Sequence, residues 1–290
     1  MDKRIHILIT CATIAACGAD TNHEKFGSVD VTATAPTIEK GFTTGDGWAV
    51  KFDRFVVSMS AISISASDSQ VVTATATPQL FDAVAPAPTG LLSSTVRFAR
   101  QWDTFTFQIA PAVASEGTPI TLASSVKDAD RDLMTKGGLS IYLEGKASKG
   151  AVTKTMKWGF TTDTMFTDCA GDLGGTMVKG VVIVPDGGDV VDLAFRGDVL
   201  FSDSLAAPGV VTRFDAFAAA DADANGEITL DELTATTLDA ARTVGAPYNT
   251  AGNKDVADLG GFTSALTRQI LASYRAKGTC TATATPAAAP

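Results

Sequence analysis

From Gly41 onward, apolar and polar residues alternate along the chain with a period of two. Trp48, Val50 and Phe52 share one phase, Phe55, Val57 and Met59 a second, and Ile62 and Ile64 a third. Such alternation predicts half-buried strands. Shorter strands are expected at 71–77, 95–98 and 104–109. The segments 139–147 and 152–160 form a predicted hairpin across Ser148-Lys149-Gly150-Ala151. A second pair, 178–184 and 190–201, is expected across Pro185-Asp186-Gly187-Gly188-Asp189, with Val191, Leu193, Phe195, Val199 and Phe201 on one face. One helix is predicted at 125–134, capped by Ser124 or Ser125 and ended by Lys136-Gly137-Gly138.

Short strands separated by Gly, Pro and Asp turns predict a mainly β fold, an antiparallel β-sandwich over 41–205. The architecture resembles the immunoglobulin- or transthyretin-like domains of uncharacterised bacterial lipoproteins, and fold alone does not give function. The period then changes. Residues 211–220 read as a helix with Phe214, Phe217 and Ala218 on one face, and Leu230-Asp231-Glu232-Leu233 starts another. Acids in that first turn suit the helix dipole. A helical segment is therefore expected over 206–280, followed by a low-complexity tail at 281–290 that reads as disordered.

Between the two helices, residues 221–232 read D-A-D-A-N-G-E-I-T-L-D-E. Oxygen-bearing side chains stand at the first, third, fifth, ninth and twelfth positions, and Gly226 at the sixth. This spacing resembles an EF-hand calcium loop, in which the backbone winds once around a hard cation. The resemblance spans about 211–238 and implies Ca²⁺ as the cofactor. It implies side-chain oxygens from Asp221, Asp223 and Asn225, the backbone carbonyl of Glu227, the Thr229 hydroxyl through a water, and both oxygens of Glu232. Gly226 takes the sharp turn, and Ile228 points away from the ion. An Asx-rich acidic turn that matches by coincidence is the plainer alternative. EF-hands usually pair through their eighth position, and no second loop is found. Residues 249–258 come nearest, without the ligand spacing or the final Glu. A lone loop with no Met-rich groove suggests a structural role over a switching one.

The N-terminus begins Met1-Asp2-Lys3-Arg4 and continues with an apolar run too short for a permanent span. Residues 1–16 read as a signal peptide, and Ile14-Ala15-Ala16-Cys17 resembles a bacterial lipobox. That resemblance implies lipidation at Cys17 and anchoring to a membrane by acyl chains. An ordinary signal peptide with a chance Cys is the alternative. Gly18 lacks the acidic retention signal used by some bacteria, which favours the outer membrane. Residues 17–40 read as a flexible tether. With Cys11 removed and Cys17 acylated, Cys169 and Cys280 remain, and an oxidising compartment predicts one disulfide between them. Two free thiols are the alternative.

A formal charge of −9 argues against nucleic acid and anionic lipid as main partners. Beyond the signal region the only histidine is His23, which disfavours Ser-His-Asp and Cys-His catalysis and His-ligated zinc. Gly174-Gly175 and Gly187-Gly188 read as turn glycines rather than phosphate loops. Asp189, Asp192 and Asp198 could supply a carboxylate pair, but Asp192 and Asp198 read as solvent-facing charges on a strand. Trp48, Trp102 and Trp158 could form a sugar platform, although core packing is the commoner use. The expectation is a non-enzymatic, lipid-anchored calcium-binding protein of the cell envelope, with an unidentified surface polymer or protein partner. A calcium-dependent adhesion or carbohydrate-binding module is the first alternative, a carboxylate-dependent surface hydrolase the second, and a calcium sensor the third.

Overall fold

The computed structural model describes residues 25–66, 71–73, 77–114, 119–275 and 277–284. The expected signal peptide, Cys17, Gly18 and His23 lie outside them, as do the last six residues of the expected tail. The fold is mainly β, with curled, sandwich-like sheets. A four-stranded sheet runs in the order Leu271–Tyr274, Gly188–Phe195, Gly27–Thr34, Thr89–Val96. The larger sheet follows Thr176–Lys179, Thr164–Leu173, Thr104–Ile109, Ala49–Ser65, Ile141–Lys149, Val152–Phe160 and Glu227–Ile228, with shorter strands beside this path. Their inner faces meet in one core, where Phe81 packs edge-on to Phe195 at 5.3 Å and Phe105 lies 5.2 Å from Tyr274.

The long strand Ala49–Ser65 shows why three apolar phases appear in sequence. Its register slips at two places, opposite Gly145 and again between Ser60 and Ser63. Each slip inserts one residue and turns the next apolar set back toward the core. Ala61, at the second, takes a left-handed φ of 51°. Gly145 faces the first, where a Cβ would stand 2.7 Å from the Lys51 carbonyl oxygen. The outer face of this strand is covered as well. Val56 and Leu80 pack with Met134 of the Asp128–Lys136 helix.

The hairpin Ile141–Lys149 with Val152–Phe160 forms with a tighter turn than expected: Ser148 and Lys149, expected in the turn, continue the strand, and Lys149 lies opposite Val152. Other expectations are corrected. The tether expected through residue 40 ends earlier, because Gly27–Thr34 is an interior strand. Val29, Val31 and Ala33 bury every second position, and Pro36–Lys40 forms a short helix. The 178–184 and 190–201 hairpin does not form. Gly188–Phe195 pairs in parallel with Gly27–Thr34 and antiparallel to Leu271–Tyr274, so the sandwich is mixed rather than wholly antiparallel. Gly197–Phe201 is a 3₁₀ turn instead of the strand's continuation.

The predicted helix 125–134 starts later, at Asp128. Ser125 Oγ instead accepts the Asp82 N–H, and the Asp130 carboxylate accepts the Lys127 N–H at 3.0 Å. At the other end of the chain, Thr279–Ala284 pairs with Thr164–Leu173, so the expected disordered tail is strand as far as Ala284.

Cys169 and Cys280 form the expected disulfide, 111 residues apart in sequence. On chain-entropy grounds, closing so long a loop stabilises the fold by on the order of 4–5 kcal/mol. The 206–280 segment contributes short helices and turns, with the two-residue strand Glu227–Ile228 and the strand Leu271–Tyr274. No helix among the described residues is long and apolar enough to cross a membrane.

Candidate metal centre

The segment before the acidic loop is held by aromatic packing. The helix spans Asp215–Ala219, shorter than the predicted 211–220, because the distant turn at Asp46 caps it. Asp46 Oδ2 accepts the Phe214 and Asp215 N–H groups, both at 2.7 Å. A carboxylate at this end satisfies amides that have no partner within the helix. Phe214 and Phe217 are fully buried and pack against Phe201, with Phe217 also stacked 5.9 Å from Trp158. After the loop, the Leu230–Ala235 helix starts at a reciprocal cap. Thr229 Oγ1 accepts the Glu232 N–H at 3.2 Å, and Glu232 Oε2 accepts the Thr229 N–H at 2.8 Å.

Between these ends the loop closes on its own carboxylates. Asp221 Oδ1 accepts the Asn225 N–H at 3.1 Å, and Oδ2 accepts the Gly226 N–H at 3.0 Å. Asp223 accepts the Asn225 backbone N–H at 3.1 Å and its side-chain amide at 2.8 Å. Asn225 Oδ1 in turn accepts the Glu227 N–H at 2.6 Å. Glu232 reaches back to accept the Ala222 N–H at 3.1 Å. Gly226 carries φ +87°, a conformation that favours glycine.

Carboxylate oxygens of Asp221, Asp223 and Glu232 thereby lie within 4.8 Å of one another. Two oxygens on opposite sides of a calcium ion stand at most about 4.6–5.2 Å apart, twice the usual bond length. The spacing therefore fits a shared cation. Of the six residues expected as ligands, the structure brings these three together, with Asn225 bonded to Asp223. The Thr229 hydroxyl donates to Glu232 Oε2 at 2.9 Å. Glu227 is placed by its backbone, through the hydrogen bond its N–H donates to Asn225 Oδ1 and through pairing with the sheet.

That pairing has no counterpart in the sequence reading. Glu227–Ile228 adds in parallel to Val152–Phe160, matching Glu227 with Thr155 and Ile228 with Met156. The Thr155 N–H donates to the Gly226 carbonyl at 2.8 Å, and the Trp158 indole N–H to the Ile228 carbonyl at 2.8 Å. Ile228 is fully buried.

Lys154, which sequence reasoning missed, extends from the same strand and donates from Nζ to Asp221 Oδ2. The Asp221 side chain is fully buried and that of Lys154 is 17% exposed. This ammonium, with the Gly226 N–H, holds the Asp221 carboxyl below the usual carboxylate range against the opposing effect of burial. Glu232 is also held low, chiefly by the Thr229 N–H. A signal for Lys154 was present. Period two places it in phase with the buried Met156, Trp158 and Phe160, so it needed an acidic partner from elsewhere.

The other candidates are accounted for differently. Asp189 is buried in a bidentate pair with Arg275 at 2.8 and 2.6 Å. Asp198, expected to face solvent, is buried and bonded to Arg196 because it sits in the 3₁₀ turn. Asp192 accepts from Thr32 and Thr34 across the parallel strand pair. Trp48, Trp102 and Trp158 are all buried and form no exposed platform. A groove of about 640 Å³ is bordered by Phe166, Arg196, Arg268, Gln269 and Cys280, and its lining among the described residues contains no carboxylate. Comparison with protein-family models, curated proteins and solved structures finds no match to the chain.

Proposed function

We propose that this is a calcium-binding, lipid-anchored protein of the cell envelope, in which residues 221–232 act as an EF-hand-like loop with a structural role. The observation that carries the reading is the convergence of Asp221, Asp223 and Glu232, at the first, third and twelfth positions of the sequence pattern, on a loop whose eighth position is paired into the sheet. An ion there would tie together the Phe214–Phe217 aromatic cluster, the large sheet and the Leu230–Ala235 helix. Extracellular sites of this kind work at roughly 10⁻⁴–10⁻³ M calcium, a range suited to a constitutive strut. The lipobox-like Cys17 and the Cys169–Cys280 disulfide support export and anchoring, with an outer-membrane destination following from Gly18. The buried tryptophans do not offer the carbohydrate-binding alternative a platform.

Scanning calorimetry with calcium and with chelator tests the reading. At about 100 times Kd, calcium would stabilise the fold by about 2.7 kcal/mol, raising Tm by several degrees. Glu232→Gln should abolish that shift. Superimposable wild-type melting curves in calcium and chelator would remove the strut.

A further inference from the structure

We propose that Lys154 is the loop's resident counter-cation, an ammonium that competes with calcium at Asp221 and sets the affinity of the site. The inference rests on the calcium reading above and adds to it the residue that controls it. Lys154 comes from the Val152–Phe160 strand, 67 positions away from Asp221 in sequence, and is no part of the loop pattern. Its ammonium lands on the carboxylate at the first loop position, whose side chain is shut off from solvent.

Two features make this contact a competitor rather than a bystander. Asp221 Oδ2 accepts both Lys154 and the Gly226 N–H, while Oδ1 already accepts the Asn225 N–H. A carboxylate offers about four lone-pair sites, so three of them are in use. Calcium entering the ring must therefore take the remaining site beside a positive charge or expel the ammonium. Affinity in such loops follows ligand charge. Lys154 reduces three converging carboxylates to a net charge near −2.

In this proposal Lys154 also serves Asp221 whenever no ion is bound. A buried carboxylate needs a hydrogen-bonded partner, and Lys154 supplies one from the strand that already pairs with Glu227 and Ile228. The same strand thus holds the loop in both states, with Lys154 on Asp221 in one and released in the other.

Isothermal titration with calcium chloride, on wild type, Lys154→Met and Lys154→Arg, tests the assignment. Methionine keeps the apolar stem without the charge, and should tighten calcium binding by at least tenfold. Arginine keeps the charge and should leave the affinity within about threefold of wild type. If wild type binds and Lys154→Met binds equally or more weakly, this inference falls and the calcium reading stands. If none of the chains binds, both fall.

A second measurement needs no variant. Competitive acetylation of the wild-type chain, read by mass spectrometry, should show Lys154 modified severalfold faster in calcium than in chelator, relative to Lys51 and Lys157. Equal rates would overturn the displacement.

Discussion

Two stretches of the C-terminal third pack onto the sheets, and each supplies one partner of a buried aspartate–cation pair whose other partner lies elsewhere in the chain. At Arg275 charge meets charge one to one, although its buried Nε has no hydrogen-bond partner among the described residues. Arg275 grips both oxygens of Asp189, donates also to the Val190 carbonyl, and its neighbouring strands are tied by Cys169–Cys280. At residues 221–232 closure is partial. One ammonium meets one oxygen of Asp221, while Asp223 and Glu232 converge beside it with no side-chain cation bonded to them among the contacts described. The first arrangement matches charge to charge within the protein. The second leaves negative charge gathered in a ring whose size suits an external cation. Burial of an acid therefore says little about function by itself. What matters is whether the surrounding chain neutralises it.

The comparison predicts a graded set of effects. The largest belongs to the closed region. Removing the disulfide by Cys169→Ser with Cys280→Ser should cost on the order of 4–5 kcal/mol in denaturant unfolding, with the calcium-dependent change in Tm retained. A loss below about 1 kcal/mol, small beside that entropic expectation, would mean the covalent link does not hold this region.

Next comes Arg275→Met, which strands the Asp189 carboxylate in the core. Breaking such a pair from one side costs about 3–5 kcal/mol, and the loss should be the same in calcium and in chelator. A loss that calcium rescues would dissolve the distinction between the two regions.

A smaller effect is expected at the staple between loop and sheet. Trp158→Phe leaves the Ile228 carbonyl without its indole partner, at a cost of about 1–3 kcal/mol. This change should also weaken calcium binding, because it loosens the eighth loop position. Unaltered calcium affinity in a destabilised Trp158→Phe would show that the sheet pairing does not support the site.

Much of this was legible where the pattern is local. The slips among Phe52, Phe55, Met59 and Ile62 marked the irregularities of the long strand, and Val152–Phe160 appeared with its bounds intact. The carboxylate convergence followed from spacing within twelve residues, and the disulfide from counting thiols. Long-range partners were not legible. Gly27–Thr34 passed for a tether because Ser28, Asp30, Thr32 and Thr34 made a polar face, hiding the alternation of small apolar residues behind it. Its parallel partner lies some 160 residues away, as with Thr34 and Asp192. The Asp46 cap, the Lys154 contact and the strand pairing of Ile228 are likewise products of topology. No local window contains both partners.

The most direct test of the account is amide hydrogen exchange at the junction of loop and sheet, with and without calcium. The Thr155 N–H donates to Gly226, and the Asn225 and Gly226 N–H groups donate to Asp221. If calcium organises the loop against the sheet, protection at Thr155, Asn225 and Gly226 should rise together on adding calcium and stay unchanged in Glu232→Gln. Protection at Arg275 and Tyr274 should move much less. Identical exchange at Thr155, Asn225 and Gly226 in saturating calcium and in chelator would contradict the account.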